Sequence, residues 1–143
     1  MLYFDADDID RILKGIKTSA RILFENGDIS NAISHGAFGG GIYTFLAVYR
    51  KGQIIFERGK SVGISTGPDT PEVAQILIRG IDRDNLHFDD ENSGIRRDLP
   101  SEGFADLEEF ITYWDARHPP GKQWANDPRV WVIYFQLIEV PDK

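Results

Sequence analysis

Two segments of this chain are apolar on both faces, and they constrain the fold more than anything else in it. The first, 42–50, reads Ile-Tyr-Thr-Phe-Leu-Ala-Val-Tyr-Arg. In an extended chain successive side chains point to opposite faces. Ile42, Leu46 and Val48 then share one face, and Tyr43, Phe45, Ala47 and Tyr49 share the other. The second, 130–140, places Val132, Tyr134 and Ile138 on one face and Trp131, Ile133, Phe135 and Leu137 on the other. Such strands need cover on both sides, so both are expected to be central and neighbouring.

Around the first segment the sequence predicts an antiparallel meander. Lys51-Gly52 makes a short turn, residues 53–58 return, and 61–66 follow after Gly59-Lys60 as a third strand. Upstream lies a glycine-rich lead-in, His35-Gly36-Ala37-Phe38-Gly39-Gly40-Gly41, at the end of a loop over 28–41. Residues 84–100 are polar and irregular.

Three helices are expected. One runs over about 7–26, with Ile9, Ile12, Leu13, Ile16, Ala20 and Leu23 at helical spacing and Gly27 as its stop. The second starts at Asp69 or Thr70 and ends near Asp82, with Val73, Ile76, Leu77 and Ile81 as its apolar stripe. The third is capped by Ser101, runs to about Arg117 on Phe104, Leu107, Ile111 and Trp114, and is broken by Pro119-Pro120-Gly121. The expected class is α+β: a mostly antiparallel sheet of four to five strands with about three helices packed on it. At 143 residues the chain reads as a single domain, 1–143.

Composition narrows the function classes. There is no cysteine, which excludes disulfides, thiolate metal sites and cysteine nucleophiles. Met1-Leu2-Tyr3-Phe4 runs into Asp5, Asp7 and Asp8, the opposite of a secretory leader, and the apolar runs are short for a membrane span. The expectation is a cytoplasmic protein without a membrane partner. The net charge of −7 argues against direct nucleic-acid binding, which needs a basic footprint, and favours another protein with a basic surface as partner. A homo-oligomer is compatible with strands of two apolar faces.

No catalytic, cofactor or metal motif is complete, so no catalytic residue, cofactor or metal ligand is assigned, and the enzyme question stays open with a non-enzyme favoured. The glycines at 36–41 precede a strand, whereas a phosphate-cradling loop follows one and carries a lysine. The acidic run Asp89-Asp90-Glu91 begins like a calcium loop, but its twelfth position is Pro100 where a glutamate is required. Two sets of residues remain as candidates. His35, Gly36, Gly39, Gly40, Gly41 and Tyr43, with Arg96 and Arg97 for an anionic group, form a candidate ligand site. Asp89, Asp90, Glu91, Trp114 and Trp124 form a candidate partner surface.

In size, acidity and lack of motifs the chain is similar to toxin-immunity proteins and phage-encoded anti-defence inhibitors. That likeness implies an inhibitor blocking a basic or nucleic-acid-handling protein. The alternative is a small-molecule or nucleotide binder, or a small enzyme, using the loop at 35–41.

Overall fold

The computed structural model describes residues 1–34, 43–87, 89–90 and 93–140. The elements in order are β1 (Leu2–Tyr3), α1 (Ala6–Leu13), β2 (Ser19–Leu23), β3 (Ile29–Ser34), β4 (Tyr43–Arg50), β5 (Gln53–Glu57), β6 (Ser61–Ser65), β7 (Ala74–Asn85), β8 (Asp89–Asp90), β9 (Ser93–Gly94), α2 (Ile95–Glu102), α3 (Leu107–Arg117) and β10 (Arg129–Glu139). A single 3-10 turn, Trp124–Asn126, precedes β10.

The strands form a five-stranded sheet in the order β1-β6-β7-β10-β2, a three-stranded sheet β3-β4-β5, and the short β8-β9 pair. All pairings are antiparallel except β1 with β6. The fold is therefore α+β and mostly antiparallel, as its sequence predicts. One face of the large sheet packs on the small sheet, with Val48 and Phe56 meeting Ile76, Ile78, Trp131 and Ile133. The other face packs on α2 and α3, where Val130 and Val132 meet Ile95, Phe110 and Trp114. β10 thus has the two-sided cover that its two apolar faces require.

The β4–β5 hairpin forms at the expected turn, with Lys51 and Gly52 both at positive φ (53° and 78°), the geometry of a tight twisted turn. It is not hydrogen-bonded to β10, however. It packs on Trp131 of that strand, with Phe45 and Phe56 edge-on to the ring at 5.8 and 6.4 Å. The meander is also cut short, because β6 leaves the hairpin and joins the large sheet.

Each expected helix is corrected. The segment 7–26 is a helix only to Leu13: Gly15 takes φ +74°, the chain turns, and Ser19–Leu23 pairs with β10 as a strand. The segment 69–82 is mostly strand. In β7 the register against β10 shifts between Tyr134 and Phe135, so Gly80 pairs with Tyr134, Ile78 with Phe135, and Arg79 is the extra residue. That bulge puts Ile76, Ile78 and Ile81 on one sheet face. The spacing of three across it imitates a helical stripe. The segment 101–117 is two helices, because Gly103 (φ +94°) ends α2 and Asp106 caps α3 by accepting from Glu109 N at 2.8 Å. The loop expected over 28–41 contains β3.

Candidate functional site

The helix-facing side of the large sheet carries an uncommon amount of buried charge. Lys17, Ser19 and Arg21 alternate into the start of β2 and project to one side. All three are buried, at 2%, 0% and 8% exposure. Asp98 and Glu102, one turn apart on α2, face them and are also buried. Arg21 Nη1 donates to Glu102 Oε2 at 3.0 Å and Arg21 Nη2 to Asp98 Oδ2 at 2.9 Å. Ser19 Oγ donates to Glu102 Oε2 at 3.0 Å. Lys17 Nζ donates to the Glu102 carbonyl at 2.9 Å and lies 3.6 Å from its carboxylate.

Three further elements close the cluster. Asp8 of α1, 1% exposed, accepts from the Tyr113 hydroxyl of α3 and lies 4.0 Å from Lys17. The Lys17 ammonium also sits over the rings of Phe104 and Tyr113 at 5.6 and 5.8 Å. Tyr134 of β10 donates to Asp98 at 2.8 Å, and Arg97 donates to Asp98 at 2.9 Å. Burial pushes the Asp98 carboxyl up, but the hydrogen bonds from Arg97, Tyr134 and Arg21 outweigh it and hold the group below its ordinary range. Burial and then Asp8 push the Tyr113 hydroxyl far up, and burial and then Asp98 do the same to Tyr134. Both phenols are therefore neutral donors. One donor is left over: Arg21 Nε is buried and has no hydrogen-bond partner among the described residues.

Above the cluster lies a cleft of about 730 Å³ between β2, β5, α1 and α3. Lys17, Arg21, Arg50 and Arg117 line it against Asp5, Asp8 and Glu102, with Phe4, Phe56 and Tyr113 among its apolar walls. Its lining carries four cationic side chains against three carboxylates, unlike the chain as a whole. Arg50 is fixed at its side by Asp28, through Nε to Oδ1 and Nη2 to Oδ2 at 2.9 Å each. Arg117 pairs with Asp5 at its mouth. Buried ionisable groups in contact with one another beneath a cleft mark a candidate binding site.

The residues singled out by sequence lie elsewhere. His35, Gly36, Gly39, Gly40 and Gly41 fall between β3 and β4, outside the described residues, and Glu91 is outside them too. Tyr43 opens β4 opposite Ser34. Asp89 and Asp90 form β8. Arg96 and Arg97 open α2, and only Arg97 reaches the cluster, through Asp98 and Tyr134. Trp114 is 1% exposed, donates to the Lys122 carbonyl at 2.9 Å and stacks on His118, so it belongs to the core and not to an exposed surface. Trp124 is partly buried and packs on His87 at 4.2 Å. Lys17, Arg21, Asp98 and Glu102 escape sequence reasoning because helical spacing claims 17 and 21 for a solvated helix face. The trace they leave is the polar alternation Lys17, Ser19, Arg21, which reads as one face of a strand.

No protein-family model matches the chain, nor does any curated protein. Among solved structures it is similar to an ASCH domain from Lactobacillus crispatus JV V101, with a TM-score of 0.54 and 17% identity over 96% of this chain and 78% of that one. The fold is thus α+β and ASCH-like. The likeness to an ASCH domain conflicts with the expectation that acidity excludes nucleic acid. Net charge sums the whole surface, whereas a ligand meets the local potential of the cleft. The expected basic protein partner gains no support from the likeness. Among the described residues no helix is long and apolar enough to cross a membrane, and no group of three or more His, Asp or Glu is placed to hold a metal ion.

Proposed function

We propose that this chain is a nucleotide-binding domain with RNA as its ligand class, and that one nucleotide enters the cleft over Lys17, Arg21 and Glu102. The observation that carries this reading is the charge cluster under the cleft, with the Arg21 Nε donor left unpaired in it. Tyr113 and Phe4 offer apolar surface for a base, and Arg50 and Arg117 offer charge for a phosphate. The ASCH-like fold supports the same class of ligand. The reading as an inhibitor of a basic protein rests on size, acidity and lack of motifs, and the cleft favours the nucleotide.

Thermal shift against nucleoside monophosphates and short single-stranded RNA tests this. A ligand at 100 times its Kd stabilises by about 2.7 kcal/mol. The gain is expected to shrink in Lys17→Met and in the mouth variant Arg117→Gln, the second of which leaves the buried cluster intact. No stabilisation by any nucleotide or RNA sinks the reading.

A further inference from the structure

At the far end of β7 and β10 lies a second concavity, of about 370 Å³, lined by Arg83, Asp84, Asn85, His87, Asp127 and Arg129. In the β7–β10 register Arg83 is opposite Trp131 and Arg129 is opposite Asn85. The two arginines therefore leave the same sheet face as diagonal neighbours. The Arg83 guanidinium sits over Phe45 at 5.6 Å, and that of Arg129 over Phe24 at 5.7 Å. Both rings pack on Trp131, at 5.8 and 5.4 Å. A three-ring platform thus supports two cations.

Both arginines are exposed, and neither makes a side-chain hydrogen bond or ion pair with a described residue. That is unusual in a chain with 23 Asp+Glu against 16 Lys+Arg. Elsewhere Arg21, Arg50, Arg97 and Arg117 are held by carboxylates. The two carboxylates lining the concavity are otherwise placed. Asp127 accepts from the His87 amide at 2.8 Å and the Asn85 side chain at 3.5 Å, and Asp84 pairs with Val130 on the opposite face of the sheet. An arginine over a ring with no other partner keeps N–H groups available, and its fork matches two oxygens of a phosphate.

The patch continues from the cleft. Arg50, in the cleft, donates to the Leu23 carbonyl at 2.9 Å, and the next residue, Phe24, donates through its amide to the Arg129 carbonyl at 3.0 Å. We propose that Arg83 and Arg129 form a seat for the backbone phosphates of a single-stranded RNA, outside the cleft. This rests on the nucleotide reading of the cleft, from which the strand would run along the end of β2.

The test is binding of a short fluorescein-labelled single-stranded RNA, and separately of adenosine monophosphate, across a salt series. Three proteins are compared: wild type, the Arg83→Gln, Arg129→Gln double variant, and the Arg83→Lys, Arg129→Lys double variant. The glutamine pair is expected to weaken RNA binding about tenfold and to lower the salt slope by roughly 0.7 for each phosphate that the protein no longer neutralises. The lysine pair is expected to keep the slope, which also controls for folding. The mononucleotide is expected to bind all three alike. Unchanged RNA affinity and slope in the glutamine pair overturn the seat and leave the cleft reading standing. An equal loss for the mononucleotide overturns it as well, since the arginines would then belong to the nucleotide's own site. A wild-type chain that binds no RNA overturns it outright, and mononucleotide stabilisation then judges the cleft alone.

Discussion

Arg21 and Glu102 form a buried ion pair at 3.0 Å across 81 residues of sequence, and it locks β2 to α2. Both side chains are 1% exposed, so neither charge has water to fall back on. Removing one partner of a buried pair strands the other, at about 3–5 kcal/mol. Glu102→Ala takes one of two carboxylates from Arg21 and the nearer one from Lys17, and is expected to destabilise by up to that amount in urea unfolding. A loss under about 1 kcal/mol would place this pair with exposed ones, whose worth is of that size.

Asp28 ties the two sheets together. Its carboxylate accepts from Arg50 of β4 and from Trp131 Nε1 of β10 at 2.9 Å. Burial raises its pKa, but the hydrogen bonds from Arg50, the Glu25 amide and Trp131 bring it below 3.8. A depressed folded pKa contributes stability that is present above the unfolded value and is lost as pH falls through the folded one. Asp5 and Asp98 shift the same way. Stability is therefore expected to decline as pH drops below about 4. Asp28→Asn is expected to cost about 1–3 kcal/mol at neutral pH and to flatten part of that decline. An unchanged acid profile in this variant counts against the assignment.

Asp84 works in the opposite direction. Desolvation first, and then the charge of Asp82, hold its carboxyl above 3.8. A carboxyl with a raised folded pKa costs stability above that pKa, and the cost vanishes below the unfolded value. Asp84→Asn is expected to stabilise the protein at neutral pH and to leave it unchanged in strong acid. Chemical denaturation at the two pH values measures this, and a loss at neutral pH contradicts it.

Two glycines separate backbone strain from crowding. Gly103 ends α2 at φ +94°, where an added Cβ would also meet Arg11 Cδ at 3.0 Å. Gly103→Ala is expected to cost about 1–2 kcal/mol, the penalty of a left-handed conformation for an L-residue. At Gly63 a Cβ would collide with the Glu72 carboxylate, the far end of an exposed and flexible side chain. Gly63→Ala is expected to stay within about 0.5 kcal/mol as Glu72 swings away. Thermal unfolding of the two variants side by side checks the contrast.

Much of the architecture is legible in the chain itself. The two-faced strands, the Lys51-Gly52 turn, the strand at Ser61–Ser65, the C-terminal part of the third helix and the α+β class follow from local pattern, because each is set by neighbours a few residues apart. What tertiary structure decided is where local patterns conflict. Over Ser19–Leu23 and Ala74–Asn85, helical and strand periodicities both fit a short window, and pairing with β10 selected the strand. The Arg79 bulge then gave a strand the apolar spacing of a helix. The candidate site depends wholly on that selection. Lys17 and Arg21 sit one helical turn apart if 7–26 is read as helix. As a strand edge docked on α2, they meet Asp98 and Glu102, and charges that sequence leaves in water become a buried network.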